Sequence, residues 1–223
     1  KELSKALKLS TQEKWGPVHV NIPRDVLSGT ENFDNFIIED KIEHKKINEN
    51  DSERILSLIE QSSKPVIICG AGVKNSQTQD QIILLSKKLK IPIVASAGHG
   101  DVISFDCELY CGQMGPRGNK IASSLVKNAD LILAIGTRLG FNSTFYSYDN
   151  ISESAKIVQV DIDPIAIGRY FPIEVGIHND VKTFLDNLIY ITNNKVLKND
   201  HKDWIEKFLK EKKYYYKKRD EDA

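Results

Sequence analysis

A chain of 223 residues suits one sizeable domain with appendages, or two small domains. Hydrophobic residues make up 40% and charged residues 28%, as in ordinary soluble globular proteins, and 31 basic residues balance 31 acidic ones. This zero balance excludes global steering toward nucleic acid or an anionic membrane, and no apolar run approaches the roughly 20 residues that span a bilayer. The three cysteines, Cys69, Cys107 and Cys111, are too few and odd in number for a secreted disulfide framework. The C-x3-C pair Cys107/Cys111 has no second Cys or His pair nearby to complete a zinc site. No nucleic-acid or membrane partner is expected, and the compartment is expected to be the cytoplasm. The chain opens Lys1-Glu2-Leu3-Ser4 with no apolar leader, and its one methionine is Met114, which suggests a piece of a longer protein.

In chain order, Lys1 to Leu9 reads as the tail of a helix. After Gly16-Pro17, Val18 to Ile22 reads as a strand that Pro23 ends, since proline cannot donate to a ladder. A lone helix-strand unit cannot bury both of its faces. The polar stretch that follows reads as a linker. Ser52 to Gln61 carries Ile55, Leu58 and Ile59 at amphipathic helical spacing. A repeating pattern then begins. Apolar runs at Val66–Cys69, Ile91–Ala95, Leu131–Ile135, Lys156–Val160 and Glu174–Ile177 read as strands. Gln79–Leu89, Ile121–Asn128 and Val181–Tyr190 read as helices, and Gly98 to Gly112 as irregular. The strand runs are nearly continuous in apolar residues, which strands buried on both faces require. The fold class is therefore α/β: a doubly wound, mostly parallel, Rossmann-like sheet with helices on both faces. Asp203 to Lys213 reads as a surface helix whose stripe of Trp204, Ile205, Phe208 and Leu209 packs on a neighbour outside the chain. The Tyr214–Arg219 cluster of aromatic and basic residues is followed at once by Asp220, Glu221 and Asp222.

Ligands of such sheets sit outside the carboxyl ends of the strands, so the turns there are the candidates. Gly70-Ala71-Gly72 could bring backbone close to a phosphate, or could be a plain strand-to-helix turn, since the third glycine of G-x-G-x-x-G is absent. Arg138, after Gly136-Thr137, could pair with a phosphate or tie down a loop. Asp161 could accept from ribose hydroxyls or brace its own loop. Asp163 with Pro164 favours the start of a helix through Ile167, and Asn179-Asp180 favours the cap of the next one. His99, between two glycines, is the one histidine near the expected cleft. The histidines show no metal spacing, and neither a nucleophile elbow nor a Walker loop is present.

Taken together, several stretches resemble thiamine-diphosphate-dependent enzymes of the acetolactate synthase and sulfoacetaldehyde acetyltransferase type. Gly16-Pro17-Val18 through Ile22-Pro23-Arg24-Asp25-Val26 resembles the close of their pyrimidine-binding domain. Lys64–Val73, Ile91–Ser96, Ala129-Asp130 through Gly136-Thr137-Arg138, and Val160-Asp161-Ile162-Asp163-Pro164 with Ile167-Gly168 resemble the central domain in order. The resemblance implies that residues 1–29 end a pyrimidine-binding domain, 30–49 link, 50–190 form the central domain, and 191–223 lead to a diphosphate-binding domain. It implies thiamine diphosphate and magnesium in the parent enzyme, held by domains outside this chain, and a small-molecule substrate, a 2-oxo acid or a sulfo-aldehyde. It also implies a homodimer or homotetramer, no catalytic or metal residue in this chain, and no activity of the chain alone. FAD or ADP is implied as an occupant of the central domain, with Gly70, Ala71, Gly72, Gly136, Arg138, Asp161 and Asp180 as the residues to hold it. The stretch Gly112-Gln113-Met114-Gly115-Pro116-Arg117-Gly118-Asn119-Lys120 is similar to the sulfoacetaldehyde acetyltransferase loop, and those relatives are not expected to need FAD. A freestanding nucleotide-binding or oligomerisation module is the remaining alternative.

Overall fold

The computed structural model describes residues 2–11, 15–30, 47–144, 147–195 and 201–221. The chain divides into two units, Lys1–His44 and Lys45–Ala223. In the first, helix α1 (Glu2–Thr11) and the five-residue helix α2 (Arg24–Ser28) bury no residue. Leu3, Leu7, Trp15, Val26 and Leu27 are all exposed. The strand expected over Val18–Ile22 joins no ladder among the described residues. A strand exists only through its neighbours' hydrogen bonds, and none of the described strands pairs with it. The expected linker falls mostly on residues 31–46, outside the described residues.

The second unit holds the sheet. Its elements are α3 (Glu49–Gln61), β1 (Pro65–Cys69), α4 (Ala71–Asn75), α5 (Gln79–Leu89), β2 (Ile93–Ala95), β3 (Tyr110–Gln113), α6 (Lys120–Asn128), β4 (Leu131–Ile135), β5 (Lys156–Asp161), β6 (Val175–His178), α7 (Val181–Asn194) and α8 (Lys202–Glu221). The strands run β3-β2-β1-β4-β5-β6, and every pairing is parallel. The doubly wound sheet expected from the sequence is thus present. All five residues of β1 and of β4 are buried, as a sheet covered on both faces demands. One face packs Ile67, Leu133 and Val158 against Ile55, Leu85, Phe184 and Leu188. The other packs Val66, Ile132 and Ile157 against Leu125, Val126 and Phe208. Each such side chain contributes about 1.5–3 kcal/mol when fully buried.

Polar groups fix the amino end of the sheet. The Asp130 carboxylate, just before β4, accepts from Ser63 N (2.7 Å) and Lys64 N (2.8 Å), just before β1, and so sets the register of the two central strands. His201 is buried, with Nδ1 2.8 Å from Leu89 O and Nε2 3.1 Å from Ile59 O, at the ends of α5 and α3. Trp204 Nε1 donates to Pro65 O at 3.0 Å.

Three local expectations change. Tyr110–Gln113 pairs with β2 as an edge strand through an irregular register, where only irregular chain was expected. Residues 164–168 form turns, and Gly168 at φ +69° stops any helix there. In α8, Trp204, Ile205 and Phe208 pack on this same unit, because the helix begins against the amino end of β1. Tyr214, one turn and a half further on, is exposed.

Candidate functional site

The strand order reverses between β1 and β4: β1 leads on toward β2, and β4 toward β5. Such a switch point opens a crevice at the carboxyl edge. Gly70, Ala71, Gly72, Gly136 and Arg138 all lie there, as the sequence led one to expect. The two glycine turns touch each other. Gly70 N donates to Ile135 O and Gly72 N to Gly136 O, each at 3.0 Å. A Cβ on Gly70 would lie 2.3 Å from Gly136 O, and one on Gly72 would lie 2.6 Å from Gly136 Cα. Gly136 has φ +59°, and its own Cβ would meet Gly72 Cα at 2.7 Å. Both the absence of side chains and the left-handed turn are therefore needed for this contact. Ala71 is half-buried at the start of α4, and Arg138 is exposed.

The carboxylates sit on the β5–β6 side. Asp161 ends β5, and its Oδ1 accepts from Asp163 N at 2.9 Å. Burial pushes its carboxyl above the usual range, opposed by that hydrogen bond and by the charge of Arg138. Asp163 in turn accepts from Ile165 N at 3.2 Å, bracing a turn where a helix cap was expected. Asp180 caps α7, accepting from Lys182 N (2.8 Å) and Thr183 N (3.1 Å). The structure thus brings the glycines into one contact, sets Arg138 near enough to Asp161 to act on its charge, and places Asp180 at a helix start.

Gln159 is a residue the motifs did not single out. Buried in β5, it donates to Thr137 O (3.1 Å) and Ala166 O (3.2 Å) and accepts from Gly168 N (2.8 Å). It joins the turns after β4 and β5. The signal was available: one amide inside an apolar strand with both faces covered needs partners for all its polar atoms. A second tie joins the turns after β2 and β4, where Ala97 N donates to Ser143 Oγ at 3.1 Å. His99 belongs to the turn after β2. Its Nδ1 lies 3.1 Å from Ala97 O and 3.3 Å from Ser96 Oγ.

The passage from β3 into α6 uses three glycines as well, Gly112 within β3 and Gly115 and Gly118 after it. Gly112 and Gly115 have φ of +88° and +103°, and a Cβ on Gly118 would strike Gln113 O at 2.3 Å. Asn119 then caps α6 through Ile121 N at 2.8 Å. The cysteines are buried, and burial pushes the Cys69 and Cys111 thiols well up, so neither offers a thiolate. Among the described residues no group of three or more His, Cys, Asp or Glu side chains could hold a metal ion. No helix among them is long and apolar enough to cross a membrane.

The family described as "Thiamine pyrophosphate enzyme, central domain" matches residues 52–188, from α3 through α7. The chain belongs to this family. Thiamine pyrophosphate is thiamine diphosphate, so the match agrees with the resemblance drawn from the motifs. Among similar proteins, a "probable acetolactate synthase large subunit" of Methanocaldococcus jannaschii is 28% identical over 93% of this chain and 36% of its own length. A sulfoacetaldehyde acetyltransferase of Castellaniella defragrans is 31% identical over 77% of this chain and 29% of its own length. An acetolactate synthase large subunit of Cyanidium caldarium is 28% identical over 96% and 38%. The chain spans about a third of the length of these curated relatives.

Proposed function

We propose that this central domain is the scaffold of a longer thiamine-diphosphate enzyme of the acetolactate synthase type, and that chemistry takes place on other domains. Residues 1–29 close a preceding pyrimidine-binding domain, 30–49 link, 50–190 are the central domain, and 191–223 lead to a diphosphate-binding domain. The supporting observation is how the carboxyl edge is used. Its glycine turns hold each other, and the Asp161 and Asp180 carboxylates brace a turn and cap a helix. Thiamine diphosphate with magnesium would supply a nucleophilic ring carbon for a 2-oxo acid or sulfo-aldehyde, from outside this chain. If FAD or ADP is taken up, exposed Arg138 would face a phosphate and Asp161 a ribose hydroxyl. The parent would act in the cytoplasm as a homodimer or homotetramer.

A sulfoacetaldehyde acetyltransferase-type parent without FAD is the second reading. The three-glycine loop leading into α6, each glycine required by its backbone or its contacts, favours it.

The test is to purify from the source cell the polypeptide that carries this sequence and assay it with thiamine diphosphate and magnesium. Acetolactate formed from pyruvate would support the first reading. Turnover of sulfoacetaldehyde with phosphate would support the second. A native polypeptide of only 223 residues, inactive on both, would overturn both in favour of a freestanding module.

A further inference from the structure

We infer that the Gly70-Ala71-Gly72 turn is a backbone weld between the two central strands and not a cradle for phosphate. The inference rests on the proposed reading of this domain as nucleotide-capable only in what it denies: the place of the diphosphate.

A phosphate cradle needs two things of a glycine turn. Its amides must point at the anion with no other acceptor, and the space left by the missing side chains must be open. For the two glycines both needs fail. The Gly70 and Gly72 amides donate to Ile135 O and Gly136 O. The space is filled from the opposite side: Gly136 O, Thr137 Cβ and Gly136 Cα stand 2.3, 2.6 and 2.6 Å from where those Cβ atoms would lie. The contact is reciprocal, since Gly136 meets Gly72 in the same way. By contrast, a Cβ on Gly98 or on Gly140 would meet nothing within 4 Å. Helix α4, which the turn opens, has five residues and little dipole to offer an anion. The weld fixes how closely the turns after β1 and β4 approach. Gln159 then passes that position on to the turn after β5.

Amide hydrogen exchange on the full chain, read residue by residue by NMR, tests this without any substitution. The ligand-free chain should show Gly70 and Gly72 amides exchanging roughly a thousand-fold or more slowly than in an unfolded chain, because they open only with the sheet. Addition of ADP, and separately of FAD, should leave their shifts unchanged, and any slowing of their exchange should match that of the other sheet amides, since a ligand of the folded state slows every amide that opens only with the sheet. Free exchange of these two amides without ligand would overturn the weld. So would a shift at either of them, or protection beyond that gained by the other sheet amides, on adding ADP or FAD. If neither nucleotide perturbs any residue while the two amides stay protected, the weld stands and nucleotide binding by this domain is refuted instead.

Discussion

The described residues of the first unit and those of the sheet unit follow opposite packing rules. Helix α1 buries nothing and leaves Leu3 and Leu7 exposed, whereas every residue of β1 and β4 is buried. Apolar side chains stabilise a fold only where another layer covers them. The sheet unit supplies its own layers on both faces. Among the described residues of the first unit, the apolar side chains of α1 and α2 are without cover.

Paired truncations would sharpen this contrast most. Phe184→Ala, on the buried face of α7, should cost about 3–5 kcal/mol in denaturant unfolding. Leu7→Ala should change stability by less than about 0.5 kcal/mol. Equal losses would erase the distinction between the two regions. Next in size, Gly136→Ala combines a left-handed φ with a contact to Gly72 Cα and should cost about 3 kcal/mol. A near-neutral result would mean that the two turns do not touch. Asp180→Ala removes two hydrogen bonds from the start of α7 and should cost about 1 kcal/mol.

The smallest effect is one of pH. Burial holds the Asp161 carboxyl above its ordinary value of 3.8, so the folded chain binds this proton more tightly than the unfolded chain does. As pH rises from the ordinary value through the folded one, this group therefore lowers stability, and the penalty is complete above the folded value. Asp161→Asn keeps an oxygen for Asp163 N and removes the charge. Relative to the wild type, the variant should be more stable at neutral pH than at pH near 3, by urea midpoints. Parallel profiles would show that Asp161 titrates as an exposed carboxylate.

Five of the six strands were legible from their apolar runs, which strands covered on both faces require, although edge strand β6 buries only alternate residues. Edge strand β3 was not, since Tyr110-Cys111-Gly112-Gln113 has no such run and joins β2 through a shifted register. The Asp163-Pro164 start signal was real, but a cap alone cannot propagate a helix without an apolar face to bury. At the site, the sequence located Gly70, Gly72 and Gly136 without revealing their purpose. A glycine that admits a phosphate and a glycine that admits a neighbouring turn look the same in one dimension. Only the position of Gly136 against Gly72 separates them. The apolar stripe of α8 was equally ambiguous, because spacing shows which residues need cover and not which surface provides it.

The central claim is that this chain is a scaffold domain whose parent's thiamine diphosphate is held elsewhere. Calorimetric titration of the purified chain with thiamine diphosphate and magnesium tests it most directly. The account predicts no saturable heat, and a saturable isotherm near one cofactor per chain would contradict it.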